Sequence, residues 1–361
     1  MDKTIIIGGG FSALSCQILL KNKPLIITPI SRELNIKKLL RRKKIEVNKL
    51  FATKAFSYGS LKINLFKTKF HDRLDIGGNS NIWGGLIKAN LIPNYVLDKF
   101  KKRGINFTKI SYATTGSISN SEDVYQISDK NRILNSKNRF STITDGYLST
   151  ISVRNKGIKL EVLLLKNKIY KKIYCKKIIL AIGAIQLLDL LYRSKLLKNN
   201  DKITLEEFSY RLRFRILFFS KLFKNKDKEG TVIRYKLSSA ISHFFGIQKK
   251  LTFAFILDWI PIYFEQSFEN NKKGCLLVLK DGILTEKIKK NSENYLFGRS
   301  IHYCNMKING ININKILSSI NKNIFGVGMA FVNQDLPGPI SNDIIQDIIK
   351  NNKCDTKIYG N

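Results

Sequence analysis

The chain has little of what several common kinds of site are built from. Histidine occurs three times, at His71, His243 and His302. The five cysteines, Cys16, Cys175, Cys275, Cys304 and Cys354, are scattered and form no C-x-x-C pair. An odd, dispersed set of this kind excludes a disulfide framework and a zinc site, so no metal is expected, and it fits reduced thiols in a cytoplasmic protein. No run of about 18 apolar residues occurs, which argues against a spanning helix. Asp2 and an early strand stand where a secretory signal would carry a basic region and an apolar stretch. Acidic residues are scarce too, with 27 Asp and Glu against 63 Lys and Arg and a formal net charge of +36. The lysines run from end to end beside abundant Asn and Ile, so a bias toward Lys, Asn and Ile codons accounts for that charge. No motif specific to nucleic acid is present.

What is present is enough apolar material for a large core: 361 residues, 43% of them hydrophobic. Two domains, or one with a large insertion, are expected at this length. The most informative stretch is TIIIGGGFSALSCQILL, Thr4 to Leu20, where a short apolar strand meets a helix through three glycines. Gly8, Gly10 and Ala13 fit the dinucleotide fingerprint G-x-G-x-x-G/A. Gly8 takes the tight turn, Gly10 lets backbone approach a pyrophosphate, and Ala13 lets helix pack on strand. The free amides of Phe11, Ser12 and Ala13, at the positive end of the helix, would face the phosphates. PLIIT, Pro24 to Thr28, reads as the second strand. About 20 residues past the first glycine, where a carboxylate usually takes the ribose hydroxyls, stands Thr28. Its hydroxyl can hydrogen-bond a ribose, more weakly than a carboxylate.

A second glycine-rich segment, IGGNSNIWGGL, spans Ile76 to Leu86. Gly77, Gly78, Asn79, Ser80, Trp83 and Gly84 form a backbone that can pass close to a flat ligand and donate amides to its edge. From Asp145 the pattern becomes a meander, GYLSTISVR, GIKLEVLLL and KIYKKIYC, followed by KKIILAIGAI. The last run returns the chain to a parallel sheet, with Ala181 and Gly183 at its turn. RLRFRILFFSKLFKNK, Arg211 to Lys226, alternates basic with apolar residues. It reads either as a helix covering a substrate domain or as a segment lying on an anionic bilayer. LTFAFILDWIPIYFE, Leu251 to Glu265, carries Asp258 and Pro261 and reads as core strand.

These segments together resemble the glucose-methanol-choline family of FAD-dependent oxidoreductases. GGNSNIWGG is similar to its second signature, IILAIGAI to its V-I-L-A-A-G-A-I segment, and YFEQSFENNKKGCLLVLKDGILTEKI to its substrate-domain sheet. The pieces, residues 4 to 28, 76 to 93, 145 to 196, 250 to 290 and 300 to 349, follow the family's order. The resemblance implies an α/β fold: a doubly wound, Rossmann-like FAD-binding domain with a β-meander and a smaller α+β substrate domain. Residues 1–204 would form the FAD-binding domain, 205–297 the substrate domain, and 298–361 a segment returning to the first. FAD would be noncovalent, because Ile82 stands where some relatives carry a flavin-bonded histidine.

By the same resemblance SIHYCNM, Ser300 to Met306, is similar to the family's H-x-x-G-T-x-x-M segment, although its glycine and threonine are missing here. His302 would then be the active-site base, taking the proton of a substrate hydroxyl while hydride leaves to the flavin N5. An imidazole suits that role, since its ordinary pKa lies near working pH. Ile324 to Ile349 is similar to the family's last strand, proline turn and helix, placing Pro339 and Ile340 beside the flavin. Gly338 falls where a second catalytic residue is usual. Asn342 either substitutes for it or caps the following helix. The implied activity is oxidation of the CH-OH group of an alcohol, sugar or polyol, with the electron acceptor unspecified. The alternative, motivated by Thr28, Gly338 and the altered loop after His302, is a catalytically weak or inert FAD- or nucleotide-binding, or membrane-peripheral, protein of a surface-polysaccharide pathway. An NAD-dependent dehydrogenase would explain the first glycine loop and leave GGNSNIWGG without a role.

Overall fold

The computed structural model describes residues 4–20, 22–29, 62–64, 80, 86–109, 114–115, 124–127, 142–154, 157–216, 232–236, 262–287, 302–332 and 340–351. Its strands are β1 (Thr4–Ile7), β2 (Leu25–Thr28), β3 (Lys62–Asn64), β4 (Leu86–Lys88), β5 (Phe107–Lys109) and β6 (Thr114–Thr115). They continue as β7 (Val124–Ile127), β8 (Ile143–Arg154), β9 (Gly157–Leu164), β10 (Ile169–Cys175), β11 (Lys177–Leu180) and β12 (Lys202–Ile216). The last are β13 (Val232–Lys236), β14 (Ile262–Lys280), β15 (Ile283–Glu286), β16 (His302–Ile308), β17 (Ile311–Asn312) and β18 (Ile324–Gly326). The helices are α1 (Phe11–Leu19), α2 (Asn94–Lys102), α3 (Ala184–Arg193), α4 (Ile313–Ile320) and α5 (Ile340–Lys350).

A seven-stranded sheet runs β10-β9-β8-β2-β1-β11-β18. Its five strands from β8 to β18 are parallel, and β8, β9 and β10 form an antiparallel meander. The parallel strands read TIII, LIIT and KIIL because helices cover both faces, so neither parity of side chain meets water. Ile5, Ile7, Ile27, Ile178 and Leu180 join Leu187, Leu188 and Leu191 of α3 in one core. Ile6, Ile26 and Ile179 join Phe11, Ala13, Leu14 and Ile18 of α1 in the other. Each fully buried aliphatic side chain contributes about 1.5–3 kcal/mol. With α1 and α3 on opposite faces, the architecture is an α/β sheet wound in both directions from β1. A buried cluster ties α3 back to β8: the Tyr147 hydroxyl donates to Asp189 Oδ2 at 2.7 Å, and Arg193 Nη2 lies 2.8 Å from the same oxygen.

The second sheet has eight strands: the path β17-β16-β12-β14-β13-β6, with β15 and β3 added beside β14. Its spine is the antiparallel pairing of β12 with β14, from Lys202↔Val278 to Ile216↔Ile262. Leu205, Leu277, Met306 and Ile308 pack into the core that holds α3, which therefore lies between the sheets. A third sheet, β4-β7-β5, lies with α2 and α5 against α1 through Ile87, Phe100, Ile127, Ile344 and Ile348.

Three expectations change here. The boundary at 204/205 falls inside β12, because one uninterrupted strand runs from Lys202 to Ile216. The C-terminal segment 298–361 is split: β16 and β17 extend the second sheet, and β18 alone joins the first. Arg211–Ile216 is strand rather than helix, paired residue by residue with Ser267–Ile262. Its R-L-R-F-R-I pattern has the strand's period of two. Residues 217–226 lie outside the described residues.

Candidate functional site

In an open parallel sheet the strand order reverses at one place, and there the connections leave in opposite directions and open a crevice at the strands' C-terminal edge. In this sheet the reversal lies between β1 and β11: the chain goes from β1 to β2 and β8 on one side, and to β11 and β18 on the other. The C-terminal ends of β1, β2, β11 and β18 therefore gather at one edge. Backbone bonds carry the ladder past the strand ends. Gly8 donates to the Ile27 carbonyl at 2.9 Å, Ala181 to that of Ile7 at 2.8 Å, and Val327 to that of Leu180 at 2.9 Å.

Gly8 is required by its surroundings. Its φ is +118°, and a Cβ there would stand 2.2 Å from the Ala181 carbonyl oxygen. Gly10 caps α1 in extended backbone, φ −82° and ψ −171°, which any residue adopts. The Phe11 amide donates to the Ser80 hydroxyl at 2.8 Å, joining the two glycine-rich segments across 69 residues. The Leu14 amide closes the first helical bond on Gly10. Those of Ser12 and Ala13 meet no acceptor among the described residues, and the first turn of α1 holds no acidic side chain. Ala13 is fully buried, as expected for the residue that packs helix on strand. Thr28 ends β2 with 1% exposure, and its Oγ1 has no hydrogen-bond partner among the described residues. Gly183 caps α3 in extended backbone, so a second helix N-terminus opens just past Ala181.

Sequence reasoning missed Gly328 in the turn after β18. Its φ is +117°, and a Cβ there would meet Ser12 Oγ at 2.9 Å, so this turn packs directly on the start of α1. The pattern I-F-G-V-G, a strand ending in spaced glycines, is the signal that could have found it.

The C-terminal candidates divide. Asn342, a candidate second catalytic group, lies in the first turn of α5 with 1% exposure. Its Oδ1 accepts from the Lys88 amide at 2.9 Å and its Nδ2 donates to the Lys88 carbonyl at 2.8 Å. Both ends of the carboxamide are thus engaged in fastening α5 to β4, from within the first turn of the helix rather than as its cap. His302 opens β16 opposite Phe208 of β12. Two residues on, Cys304 is buried in the same cluster as Phe11, Val327 and Val332. Ile340 is the first residue of α5. Gly77, Gly78, Asn79, Trp83, Gly84 and Pro339 lie outside the described residues, as do His71, His243 and Cys354.

Cys16, Cys175, Cys275 and Cys304 are buried thiols that form no disulfide. Burial pushes the Cys175 thiol up to about 12, which keeps it protonated and inert. Among the described residues no group of three or more His, Cys, Asp and Glu could hold a metal ion. Among them, too, no helix is long and apolar enough to cross a membrane.

No protein family and no curated protein matches the chain. Among solved structures it is similar to the substrate-free form of the rebeccamycin biosynthetic enzyme REBC, with a TM-score of 0.36 and 10% identity, covering 95% of this chain and 60% of that one. It is also similar to the OxyS anhydrotetracycline hydroxylase from Streptomyces rimosus, with a TM-score of 0.35 and 8% identity, covering 96% of this chain and 59% of that one. The chain thus spans 60% and 59% of these two proteins' lengths. Similarity at that level does not establish a common fold or activity, so a functional reading rests on the glycine turns and the residues around them.

Proposed function

We propose that the chain is an FAD-dependent oxidoreductase of the glucose-methanol-choline type, oxidising the CH-OH group of an alcohol, sugar or polyol. The observation that carries the cofactor assignment is the bond from the Phe11 amide to Ser80. It brings the second glycine-rich segment onto the first at the edge where the sheet reverses. The residues present fit a noncovalent flavin dinucleotide. The amides of Ser12 and Ala13, unengaged among the described residues, suit a pyrophosphate, and glycine at Gly328 keeps a side chain off the start of α1. The buried Thr28 hydroxyl, without a partner among the described residues, suits a ribose oxygen. A nicotinamide cofactor would need the first turn alone and give Ser80 no reason to be there.

Bound FAD would supply the hydride acceptor. The chain would bind it, hold its phosphates with backbone amides rather than cations, and keep water from the sheet edge with the apolar cluster around Phe11. His302 is assigned as the base that takes the substrate hydroxyl proton. Its strand is anchored beside that cluster through Cys304. The purified protein should show a flavin visible spectrum, or acquire one on addition of FAD. If it does neither, the assignment fails. His302→Ala should slow anaerobic flavin reduction by substrate roughly 100-fold or more with FAD still bound, and an unchanged rate would remove His302 from the mechanism.

The engagement of Asn342 by Lys88 favours a second reading, a flavin- or nucleotide-binding protein without turnover, because it leaves His302 without its usual companion. Anaerobic mixing of the loaded protein with a panel of alcohols and sugars separates the two. An oxidoreductase bleaches its flavin with at least one of them, and an inert binder stays yellow with all.

A further inference from the structure

The outermost strand of the seven-stranded sheet carries a surface that the cofactor reading does not use. Between Glu161 and Asp189 the chain has six lysines and no carboxylate. Lys166, Lys168, Lys171 and Lys172, in the β9–β10 turn and on β10, are all exposed. Among them stand Ile169 and Tyr170, each 58% exposed, and Tyr174, 38% exposed. The turn ends at Lys168 in left-handed backbone, φ +56°, and Ile169 and Tyr170 follow it directly. Adjacent residues of a strand point to opposite faces, so both faces of β10 are open at this end. Two acidic residues are near among the described residues: Glu161 lies across from Lys172 in the ladder and also accepts the Thr150 hydroxyl at 3.4 Å, and Asp145, whose carbonyl accepts from the Leu165 amide at 3.3 Å, adjoins the start of the turn.

We propose that the β9–β10 hairpin is a docking surface for an anionic phospholipid bilayer, with Ile169 and Tyr170 entering the headgroup boundary and the lysines around them held by lipid phosphates and carboxylates. Charge complementarity selects the partner: a cluster of cations that outnumbers the acidic residues beside it attracts an anionic surface. The apolar pair selects a bilayer among anionic partners. A tyrosine with its hydroxyl at headgroup level and an aliphatic side chain beside it suit the boundary between water and acyl chains. Tyr170 and Tyr174 could stack on bases, but the isoleucine exposed beside them adds nothing to such a contact and favours a boundary with acyl chains. Pairing of β10 with a second copy of itself is opposed by lysines along the edge, which would be brought against their own kind. Between the hairpin and β1 lie β8 and β2, so the docking surface shares no residue with the glycine turns.

The test is flotation of the full chain with vesicles of phosphatidylcholine alone or mixed with phosphatidylserine, at low and high salt. The protein should float only with the mixed vesicles, and about 0.5 M salt should release it. The variants Lys171→Glu/Lys172→Glu and Ile169→Ser/Tyr170→Ser should each weaken binding at least about tenfold at an unchanged unfolding midpoint. Lys99→Glu/Lys101→Glu/Lys102→Glu on α2 alters more charge at another exposed site, and it should bind as the parent does. Equal loss in the α2 variant would show that total charge is responsible and overturn the proposal. Absence of vesicle binding would do the same. So would displacement by duplex or single-stranded nucleic acid combined with full binding of Ile169→Ser/Tyr170→Ser, which would mark a general polyanion surface.

Discussion

Replacing Gly8 by alanine tests the centre of the candidate site, because two independent costs meet at one Cβ. The backbone at Gly8 has φ +118°, a conformation that costs a side-chain-bearing residue about 1–2 kcal/mol. The added carbon would also stand 2.2 Å from the Ala181 oxygen and 2.9 Å from its carbonyl carbon, where no flexible side chain can yield. Relief requires moving β1 away from β11, but Gly8 and Ala181 are held by bonds to the Ile27 and Ile7 carbonyls at 2.9 and 2.8 Å. Overpacking of that kind costs about 1–3 kcal/mol, so Gly8→Ala should lose roughly 2–5 kcal/mol in total. With about 2.1 cal/mol/K of unfolding entropy per residue over 361 residues, the midpoint should fall by about 3–7 °C if the chain unfolds as one unit. Gly10→Ala is the companion. Its extended backbone accepts a side chain, so the exchange should cost under about 1 kcal/mol. A Cβ at the helix mouth should still weaken FAD binding at least tenfold, to roughly the extent of one lost close contact. Scanning calorimetry reads the first effect and fluorescence titration with FAD the second. A Gly8→Ala protein that melts with the parent would refute the close approach of β1 to the β11 turn. A Gly10→Ala protein that binds FAD as tightly as the parent would show that no pyrophosphate lies on this helix.

Asn342→Ala removes two bonds to the Lys88 backbone and should cost roughly 2–4 kcal/mol by urea titration, while the folded fraction keeps its rate of flavin reduction; a specific loss of that rate would restore Asn342 to the mechanism. With Cys354→Ser as background, Cys16, Cys175, Cys275 and Cys304 should react with a disulfide reagent only after denaturation, since all four are buried; rapid labelling of the native chain would contradict the core. The Cys175 pKa is raised from 9.0 to about 12, so the fold prefers the neutral thiol. Its contribution to stability is complete below pH 9 and is lost as pH rises toward about 12, because the unfolded chain gives up its proton first. Cys175→Ala should flatten that part of the pH–stability curve, and an unaltered slope would assign it to other groups.

The parts of the fold that could be read from the chain are those whose signal is local. Strands β1, β2 and β11 declare themselves as unbroken apolar runs because burial on both faces leaves no polar parity, and β8 to β10 because polar turns separate them. Ala13 and Gly8 were likewise legible, their spacing being the imprint of a helix crossing close to a strand. What was not legible depends on pairing over long separations. Nothing near residue 205 signals that β12 continues across it, since its length is set by the match to β14 some sixty residues later. Arg211–Ile216 was misread through its composition, although strict alternation already spoke for a strand. Asn342 resembled a catalytic amide because the sequence does not show that Lys88, 254 residues away, would claim both its ends.

The same nonlocal pairing explains how a strand of the second sheet can serve a site built on the first. β16 pairs with β12, but the pairing slips between Thr204 and Glu206, and the extra residue is taken up where Asn305 adopts φ +46°. At this bulge the core changes sides: Cys304 joins the cluster of Phe11 and Val332, whereas Met306 joins that of α3. The Asn305 amide then donates to the Val332 carbonyl at 3.1 Å, just past the turn that follows β18. Its side chain donates to Glu206 at 2.7 Å and accepts from Asn312 at 3.1 Å, so the bulge is held from three directions. The backbone leading to His302 is therefore registered against the glycine turn at 326–328 rather than against the second sheet alone. A substitution such as Asn305→Leu, which cannot replace the bonds to Glu206 and Asn312, should disturb that register. If His302 acts on a substrate held over the sheet edge, turnover should then fall further than FAD affinity. Equal losses in both would mean that the bulge supports only the fold.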